Sequence, residues 1–358
     1  MEHRHLTADE PEWPAVLRRL AHDFYHRPDY CLLDGERQQA EEVGAFWAGE
    51  GDREFFIPYL LRHCGSLFPG EPAAAGTRDA ISPYGYPGLL LSDSARQSPD
   101  FAQRAMQRLG DTFRERGVCA AFFRMNPFFS TGLPELFPAH DFSTPTETVA
   151  MDLSLDETGI WKNIRDGHQW TIRKCKRLGF EARMVPLHEH IDAFMEVYRE
   201  TMDRVHARDS YYFGRDYFVR LAEMGDQVHC CFVENAGELA AACVFLECGG
   251  LFQAHLGGTK SAFLAKSPFH LALFHAAEWA KPRGNRYLHL GGGVGGADDR
   301  LLSFKRGFSP LAFPFFTLRL IPDPEKYRAL TALSARAAGV PLKDQLQGHF
   351  FPAYRAPR

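Results

Sequence analysis

Hydrophobic residues recur at helical spacing in two separate stretches of the chain, and each stretch leads directly into a strand. In residues 100–117 the apolar side chains share one helical face, and the apolar run 118–123 follows at once. Residues 269–280 are again amphipathic and pass into the strand-like run 286–290. Both helical stretches stop close to a glycine, as helix C-termini commonly do. The pattern predicts two similar halves, each containing a helix, a glycine and a strand.

Three further strands are predicted immediately before the second helix. They cover residues 228–233, 239–247 and 251–256, and short turns containing glycine join them into a meander. A meander, a helix and one more strand is the order of an acetyltransferase-type (GNAT) domain. The predicted fold class is therefore α/β (α+β), with two tandem GNAT-like domains, each a mixed, mostly antiparallel sheet flanked by helices.

The chain length agrees with two domains. A chain of 358 residues corresponds to about two domains, each large enough for its own core. We expect an N-terminal domain at residues 1–140 and a C-terminal domain at 146–320, with a linker in the proline-bounded segment 134–145. Residues 321–358 read as a helical tail that packs on the second domain.

Composition indicates an ordinary globular protein. The apolar fraction is 45%, the charged fraction is 24% and the formal net charge is -4. The longest apolar run, residues 239–246, is too short to span a membrane, and the polar N-terminus does not resemble a signal peptide, so a cytoplasmic location is expected. The eight cysteines form no C-x-x-C pair and lie mainly in apolar runs, which indicates reduced, buried thiols. No metal-binding spacing is present, and we predict no metal site.

The last strand ends in a cluster of glycines. Residues 291–308 read GGGVGGADDRLLSFKRGF, in which an acidic pair follows the glycines and a short helix carries Phe304 and Lys305. Glycines allow close approach of a ligand to the backbone, and an aspartate at the helix start can cap it. This junction resembles that of the Fem family, the aminoacyl-tRNA-dependent transferases that build peptidoglycan cross-bridges.

Three other segments also resemble the Fem family, and all of the segments occur in the same order as in that family. They are W-K-N-I at 161–164 with T-I-R-K-C-K-R-L-G at 171–179, R-V-H-A-R-D-S-Y-Y-F at 204–213, and S-P-Y-G-Y-P-G at 82–88. The resemblance implies two GNAT-like domains, an aminoacyl-tRNA donor and an amine acceptor such as a peptidoglycan precursor. Because the family also includes members outside cell-wall synthesis, a small-metabolite acceptor is an open alternative.

The resemblance assigns the catalytic role to Lys305 and Phe304. In the family this pair lies in the aminoacyl acceptor cavity, where the lysine stabilises the tetrahedral intermediate and the phenylalanine shapes the pocket. Amide formation from an activated ester needs positioning and oxyanion stabilisation and no serine or cysteine nucleophile. The alternative is that Lys305 is a surface lysine and Phe304 a core residue.

Three further candidates have weaker signals. Asp299 either caps the helix or holds the incoming amine, and capping is favoured. The resemblance implies that Arg208 and Tyr212 contact the phosphate and uridine portion of the acceptor, but Arg204 with Tyr211 is a competing register.

The loop that contains Tyr84 and Tyr86 allows two interpretations. These tyrosines either line the acceptor cleft or pack on the domain edge in a tight turn.

Basic residues are concentrated in one segment of this acidic chain. Between residues 162 and 183 there are seven basic and two acidic side chains. On a predicted helix over 168–178, Ile172, Cys175 and Leu178 would be buried, and the side chains that point outward include Arg173, Lys174 and Arg177. The functional interpretation is a cradle for tRNA phosphates, and the alternative is a solvated helix face.

The donor is predicted from what the sequence lacks. A GNAT domain that uses acetyl-CoA carries a Q/R-x-x-G-x-G/A loop before its central helix, whereas residues 257–269 place their glycines too early for that loop. We therefore predict an aminoacyl-tRNA donor and no bound cofactor. An acyl-CoA-dependent N-acyltransferase and a non-catalytic ligand-binding protein are the alternatives.

Overall fold

The chain folds into two compact units. The computed structural model describes residues 1–138, 141–143 and 146–357. The first unit comprises residues 1–145 together with 315–358, and the second comprises residues 146–314. The first unit is therefore assembled from both ends of the chain.

The regular elements follow chain order. The strands of the described residues are β1 (Glu2–Thr7), β2 (Glu42–Glu50), β3 (Arg53–His63), β4 (Arg78–Ile81), β5 (Leu90–Leu91), β6 (Val118–Arg124), β7 (Thr146–Asp152), β8 (Phe180–Val185), β9 (Val228–Asn235), β10 (Glu238–Cys248), β11 (Leu251–Thr259), β12 (Tyr287–Gly291), β13 (Ala312–Phe315) and β14 (Thr317–Leu320). The helices are α1 (Glu12–Leu17), α2 (Pro28–Arg37), α3 (Asp93–Arg96), α4 (Pro99–Glu115), α5 (Leu133–Leu136), α6 (Glu157–Asn163), α7 (Asp166–Arg177), α8 (Leu187–Arg204), α9 (Arg215–Ala222), α10 (Phe269–Ala280), α11 (Arg300–Arg306), α12 (Pro324–Ala338) and α13 (Leu342–Gln347).

The first unit is built on one mixed sheet. Its strand order is β1-β2-β3-β4-β6-β14, and β5 pairs with β3. All pairs are antiparallel except β4 with β6. Helix α4 begins with Pro99 in its first turn and buries a row of apolar side chains, including Phe101, Leu109 and Phe113, against this sheet.

The C-terminal segment packs on the first unit, so the prediction that it packs on the second domain is wrong. Helix α12 buries Tyr327 and Leu330 in a cluster that contains Cys64, Cys119 and Tyr354. The buried Asp79 carboxylate accepts hydrogen bonds from Tyr354 Oη (3.1 Å) and from the Arg355 guanidinium. Strand β14, which was expected in the second domain, pairs with β6. This return of the chain depends on contacts distant in sequence, which local patterns do not reveal.

The second unit contains the predicted meander. Its sheet has the order β13-β7-β12-β11-β10-β9-β8, and β11 with β12 is a parallel pair. Helices α7 and α10 contribute to the core that covers β7, β9, β10 and β12, while α8 lies against β10 and β11.

The predicted fold class is confirmed in both units. In each of them an amphipathic helix, α4 or α10, precedes a strand, β6 or β12, that pairs in parallel with an earlier strand, β4 or β11. A right-handed crossover through a helix is the usual way to connect parallel strands. Each unit therefore has the mixed, mostly antiparallel sheet and flanking helices of a GNAT-like domain.

The predicted linker lies at the boundary of the two units. Residues 139, 140, 144 and 145 of the predicted segment lie outside the described residues. Within its described part, Pro134 to Leu136 belong to α5, and Phe142 forms a bridge to Leu318.

All eight cysteines are buried and none of them is in a disulfide, as the sequence predicted. Of the helices formed by the described residues, none combines the length and apolarity needed to cross a bilayer.

An ionic cluster at the end of β10 makes the stability of the second unit dependent on pH. Burial raises the pKa of Glu247, but hydrogen bonds from His229, Arg283 and Asn285 outweigh it and lower the pKa from 4.5 to about 2. The ionised carboxylate therefore stabilises the folded state above pH 4.5, and this contribution is lost as the pH falls from about 4.5 towards 2.

Replacement Glu247→Gln is expected to lower the thermal unfolding midpoint at pH 7. The difference in midpoint between this variant and wild type should become smaller as the pH approaches 2. Glu238→Gln, at an exposed strand start, serves as the control and leaves the midpoint unchanged. An unfolding midpoint of Glu247→Gln equal to that of wild type at every pH contradicts the prediction.

Candidate active site

The second unit contains a point at which two parallel strands separate. Strands β11 and β12 pair only from Leu251 to Gln253 and from Tyr287 to His289, although β11 continues to Thr259. Beyond this point β12 leads into the glycine cluster while β11 remains paired with β10 up to Thr259. The separation opens the sheet at the carboxyl ends of the two strands, where α/β proteins commonly bind ligands.

Two buried polar side chains lie at the apex of this opening, where the pairing of β11 with β12 ends. Gln253 and His289 are each 1% exposed, and His289 Nδ1 donates a hydrogen bond of 2.6 Å to Gln253 Oε1. Burial and the nearby charge of Lys305 lower the pKa of His289 to about 3, so its imidazole is neutral at physiological pH.

The glycine cluster turns the chain away from β12 in a conformation that side chains would obstruct. Gly291 has a φ of +79°, in the left-handed region that favours glycine. A Cβ atom on Gly293 would lie 2.0 Å from the carbonyl oxygen of Ala297, so the turn has no room for one. The cluster thus brings the start of α11 back to the end of β12.

Lys305 points from α11 to this turn. Its Nζ atom donates a hydrogen bond of 2.6 Å to the carbonyl oxygen of Gly292. Burial lowers the pKa of Lys305 to about 8, while the neighbouring Asp299 and Cys243 act in the opposite direction. At neutral pH the side chain is therefore mostly a protonated ammonium in a poorly solvated position, where one charge interacts strongly with a partner. Lys305 is therefore half-buried and anchored, not a fully exposed lysine.

Phe304 lies in an aromatic cluster between α7, α10 and α11. Its ring centroid is 4.9 Å from that of His270, 5.4 Å from that of His168 and 5.3 Å from that of Phe308. His168 Nε2 donates a hydrogen bond of 2.9 Å to the Phe304 carbonyl oxygen, which fixes the backbone that carries Lys305. Phe304 is only partly buried, so it both packs on the core and presents part of its ring outward.

The pH dependence of turnover is expected to show the protonation state of Lys305. Because its pKa is about 8, the ammonium that would stabilise an oxyanion is lost as the pH rises through 8. If Lys305 has this role, the single-turnover rate of wild type, corrected for the uncatalysed reaction, should fall above about pH 8. Lys305→Arg, which stays protonated, should show no such fall at whatever rate it retains. A wild-type rate that continues to rise up to pH 9.5 would exclude this role.

Asp299 caps α11, the role that the sequence favoured. Its Oδ1 atom accepts a hydrogen bond of 2.9 Å from the Leu302 amide, and its Oδ2 atom accepts one of 2.9 Å from the Val294 amide. Burial raises the pKa of Asp299, but these backbone hydrogen bonds and Lys305 lower it overall. The carboxylate therefore organises the turn around Lys305.

Arg208 and Tyr212 lie in an exposed segment after α8. Tyr212 Oη donates a hydrogen bond of 2.9 Å to Asp203, and neither residue forms a hydrogen bond, ion pair or ring contact with Lys305 in the described part of the chain. In the competing register, Arg204 donates to the carbonyl oxygen of Thr259 at 3.0 Å and so reaches the end of β11. The assignment of the acceptor-binding residues stays a prediction.

Tyr84 and Tyr86 belong to the first unit, in a loop held by Arg124. The Arg124 guanidinium donates to the carbonyl oxygens of Ser82, Pro83 and Gly85 at 3.1, 2.8 and 3.1 Å. The Tyr84 amide donates to the buried Asp34, and the Tyr86 ring contacts that of Tyr25 at 6.1 Å. These contacts are those of a packed turn, and whether the two tyrosines also line an acceptor cleft stays a prediction.

Helix α7 displays the predicted basic face. Ile172 and Cys175 are buried, but Leu178 is 45% exposed, so the prediction of its burial is wrong. Leu178 follows the last helical residue, and Gly179 with a φ of +80° turns the chain out of the helical path. In the described part of the chain, no carboxylate forms an ion pair with the outward side chains Arg173, Lys174 and Arg177.

The region where a GNAT domain binds CoA has a different structure here. Gly257 and Gly258 lie in β11, where a Cβ on Gly258 would lie 2.3 Å from Thr201 Oγ1 and one on Gly257 2.8 Å from the Ala242 carbonyl oxygen. These glycines therefore allow close packing inside the unit. A 3₁₀ helix, Ser261–Lys266, connects β11 to α10 in place of a glycine-rich loop.

Comparison with known proteins supports a GNAT-type domain. Residues 163–306 match the family model described as an acetyltransferase (GNAT) domain. No curated protein sequence matches this chain. The matched segment lies within the second unit and includes both Lys305 and the basic face of α7.

Solved structures extend the similarity to nearly the whole chain. FemX matches with a TM-score of 0.65 at 12% identity, covering 88% of this chain and 97% of that chain. The C-terminal domain of a putative lysylphosphatidylglycerol synthetase from Agrobacterium fabrum gives a TM-score of 0.54 at 14% identity, over 90% and 93% of the two chains. A tandem GNAT protein from the clavulanic acid biosynthesis pathway gives 0.50 at 11% identity, over 90% and 99%. The fold is therefore the tandem pair of GNAT-like domains that the resemblance implied.

Several residues of the opening escaped sequence analysis. Gln253, His289 and Cys243 lie on three strands, and His168 on α7 supports Phe304. Only His289 had a local signal, since it interrupts an apolar strand two residues before the glycine cluster.

Proposed function

We propose that the protein is a Fem-type aminoacyltransferase, which forms an amide bond between the aminoacyl group of a charged tRNA and an amine acceptor. The amine nitrogen attacks the ester carbonyl, the C–N bond forms and the ester C–O bond breaks. The 3′-terminal hydroxyl of the tRNA leaves, and the proton lost by the amine is transferred to it. The acceptor is a peptidoglycan precursor or another small amine.

The observation that carries this proposal is the position of Lys305. Its ammonium is anchored to the Gly292 carbonyl oxygen at the point where β11 and β12 separate, and burial keeps its pKa near 8. A protonated donor held in a poorly solvated site suits the charge that develops on the carbonyl oxygen of a tetrahedral intermediate. Because the nearby His289 is neutral, it adds no second positive charge beside the Lys305 ammonium.

A tRNA donor is favoured by two further features. The outward cations of α7 are free of ion pairs within the described residues and lie in the same domain as Lys305. The connection from β11 to α10 lacks the glycine loop that cradles a pyrophosphate in CoA-dependent domains.

The principal alternative is an acyl-CoA-dependent N-acyltransferase. The match of residues 163–306 to an acetyltransferase domain favours it. A protein that binds its ligand without catalysis is a second alternative.

Binding measurements separate these functions. Unlabelled tRNA and acetyl-CoA are titrated separately against the wild-type protein at several salt concentrations. Binding of tRNA that weakens with salt, together with no binding of acetyl-CoA, is expected. Acetyl-CoA binding without tRNA binding would support the CoA-dependent function instead.

A further inference from the structure

Trp170 is the most exposed of the tryptophan, tyrosine and phenylalanine residues that the structure describes. It is 56% exposed, whereas Trp13 is fully buried and the next most exposed aromatic residues, Tyr212 and Phe350, are each 41% exposed. An indole that remains largely in water loses the hydrophobic stabilisation that burial would provide. Its position therefore needs a local explanation.

The indole lies in the middle of the basic face of α7. At about 100° per residue, Trp170, Arg173, Lys174 and Arg177 fall within about 100° of the helix circumference. Lys174 Nζ lies 4.9 Å from the Trp170 ring centroid, and Arg173 lies over the neighbouring Trp161 ring at 4.9 Å. The Lys174 ammonium thus lies over the Trp170 ring, and Arg173 and Arg177 lie on the same surface of the helix.

These cations have no acidic partner within the described residues, unlike three other arginines of the same unit. Arg183 pairs with Glu234, Arg283 with Glu247 and Arg306 with Glu147. The face of α7 therefore keeps its charge available for an anionic partner.

The opposite face of α7 is already occupied. His168, Ile172 and Cys175 are buried against the core of the unit. A helix that lies on a membrane inserts its apolar face into the lipid, and α7 has no such face left. One aromatic plane among cations is instead the arrangement with which proteins bind single-stranded nucleic acid.

We propose that Trp170 is a stacking platform for an unpaired RNA base, with Arg173, Lys174 and Arg177 contacting the adjacent phosphates. Only an unstacked base can reach the indole, so the ligand is single-stranded RNA, for which the unpaired 3′ end of the donor tRNA is the source. This inference rests on the proposed function and adds which part of the tRNA this surface binds.

The test uses a short fluorescent single-stranded RNA that ends in ACCA, with a blunt duplex RNA of equal length for comparison. Trp170→Ala is expected to weaken binding of the single strand by at least about fivefold and Trp170→Phe to restore most of it, because stacking needs only an aromatic plane. The slope of affinity against salt should be the same in Trp170→Ala and wild type, because no phosphate contact is removed. Phe350→Ala, another exposed aromatic residue, serves as the control and binds like wild type.

Tryptophan emission provides a second readout. The single strand should quench the emission of wild type, and this quenching should be lost in Trp170→Phe. Wild-type affinity of Trp170→Ala for the single strand would overturn the platform, as would binding of anionic lipid vesicles that depends on Trp170 while RNA binding does not.

Transfer from charged tRNA by wild type is measured separately, so that the two proposals fail independently. If wild type transfers the aminoacyl group and Trp170→Ala binds RNA like wild type, the platform is refuted and the aminoacyltransferase function is not. Weakened RNA binding by Trp170→Ala without any transfer by wild type supports the platform and refutes the aminoacyltransferase function.

Discussion

Removal of the Lys305 ammonium is expected to lower the rate of aminoacyl transfer by at least about a hundredfold, as the loss of one oxyanion-hole donor does. Lys305→Ala removes the whole side chain, and Lys305→Met keeps most of the aliphatic stem while removing the charge. Both variants should lose turnover to a similar extent, because in the proposed mechanism the ammonium bound to the Gly292 carbonyl oxygen stabilises the intermediate. The measurement is the single-turnover rate with saturating donor and acceptor.

The same replacement should not harm the fold. Burial of the ammonium lowers its pKa from 10.5 to about 8, so the folded state holds this proton less tightly than the unfolded chain. Stability therefore rises as the pH increases from about 8 to 10.5, and removing the charge should leave the unfolding midpoint of Lys305→Met at pH 7 equal to or above that of wild type.

Lys281 provides a matched control in the same unit. Its ammonium also binds backbone carbonyl oxygens, those of Leu153 (2.9 Å) and Leu155 (2.6 Å), but it lies at the end of α10 away from the glycine cluster. Lys281→Met should retain transfer in the fraction that is folded. Near-normal transfer by Lys305→Met would refute the proposed mechanism.

Reversal of charge on α7 is expected to have the second largest effect. The triple variant Arg173→Glu, Lys174→Glu and Arg177→Glu should weaken tRNA binding by at least about tenfold at moderate salt and flatten its salt dependence, because phosphate contacts are lost. The affinity for the acceptor should change little. The measurement is tRNA binding over a range of salt concentrations for variant and wild type.

A second triple variant separates local contacts from overall charge. Arg108, Arg328 and Arg336 are exposed residues on helices of the first unit, and their replacement by Glu changes the net charge by the same amount. Equal loss of tRNA affinity in both triple variants would indicate a general electrostatic effect. Wild-type affinity of the α7 variant would identify its basic face as ordinary solvated surface and favour the CoA-dependent alternative.

Local patterns in the sequence predicted several helices and strands in both units. The spacing of Phe101, Leu109 and Phe113 is that of an amphipathic helix, and α4 is such a helix. The glycine turns after residues 235 and 248 define the strands β9 to β11. These features depend on residues close in the chain, so hydrophobic period and turn chemistry suffice to predict them.

Contacts between distant residues were not predictable in this way. The ion pair between Asp79 and Arg355 joins the N-terminal and C-terminal segments of the first unit, and no local pattern connects these two residues. The hydrogen bond between Gln253 and His289 forms only because β11 and β12 pair in register. The burial of Leu178 was predicted wrongly, because the helical period was extended one residue beyond the end of α7.

In the candidate site, too, features set by neighbouring residues could be predicted and those set by distant contacts could not. Lys305 was identified from its motif, but its pKa of about 8 and its anchor on Gly292 follow from burial in the folded unit. Asp299 could be predicted as a cap because capping depends on residues three positions apart.

The most direct test of the aminoacyltransferase function is a matrix of donors against amine acceptors, read by mass spectrometry. Wild-type protein is incubated with charged tRNAs or with acyl-CoAs, and each acceptor is examined for a gain in mass. We predict an aminoacyl mass gain that requires charged tRNA and is strongly reduced with Lys305→Met. A mass gain with acyl-CoA alone, or none with any charged tRNA, would contradict the proposed function.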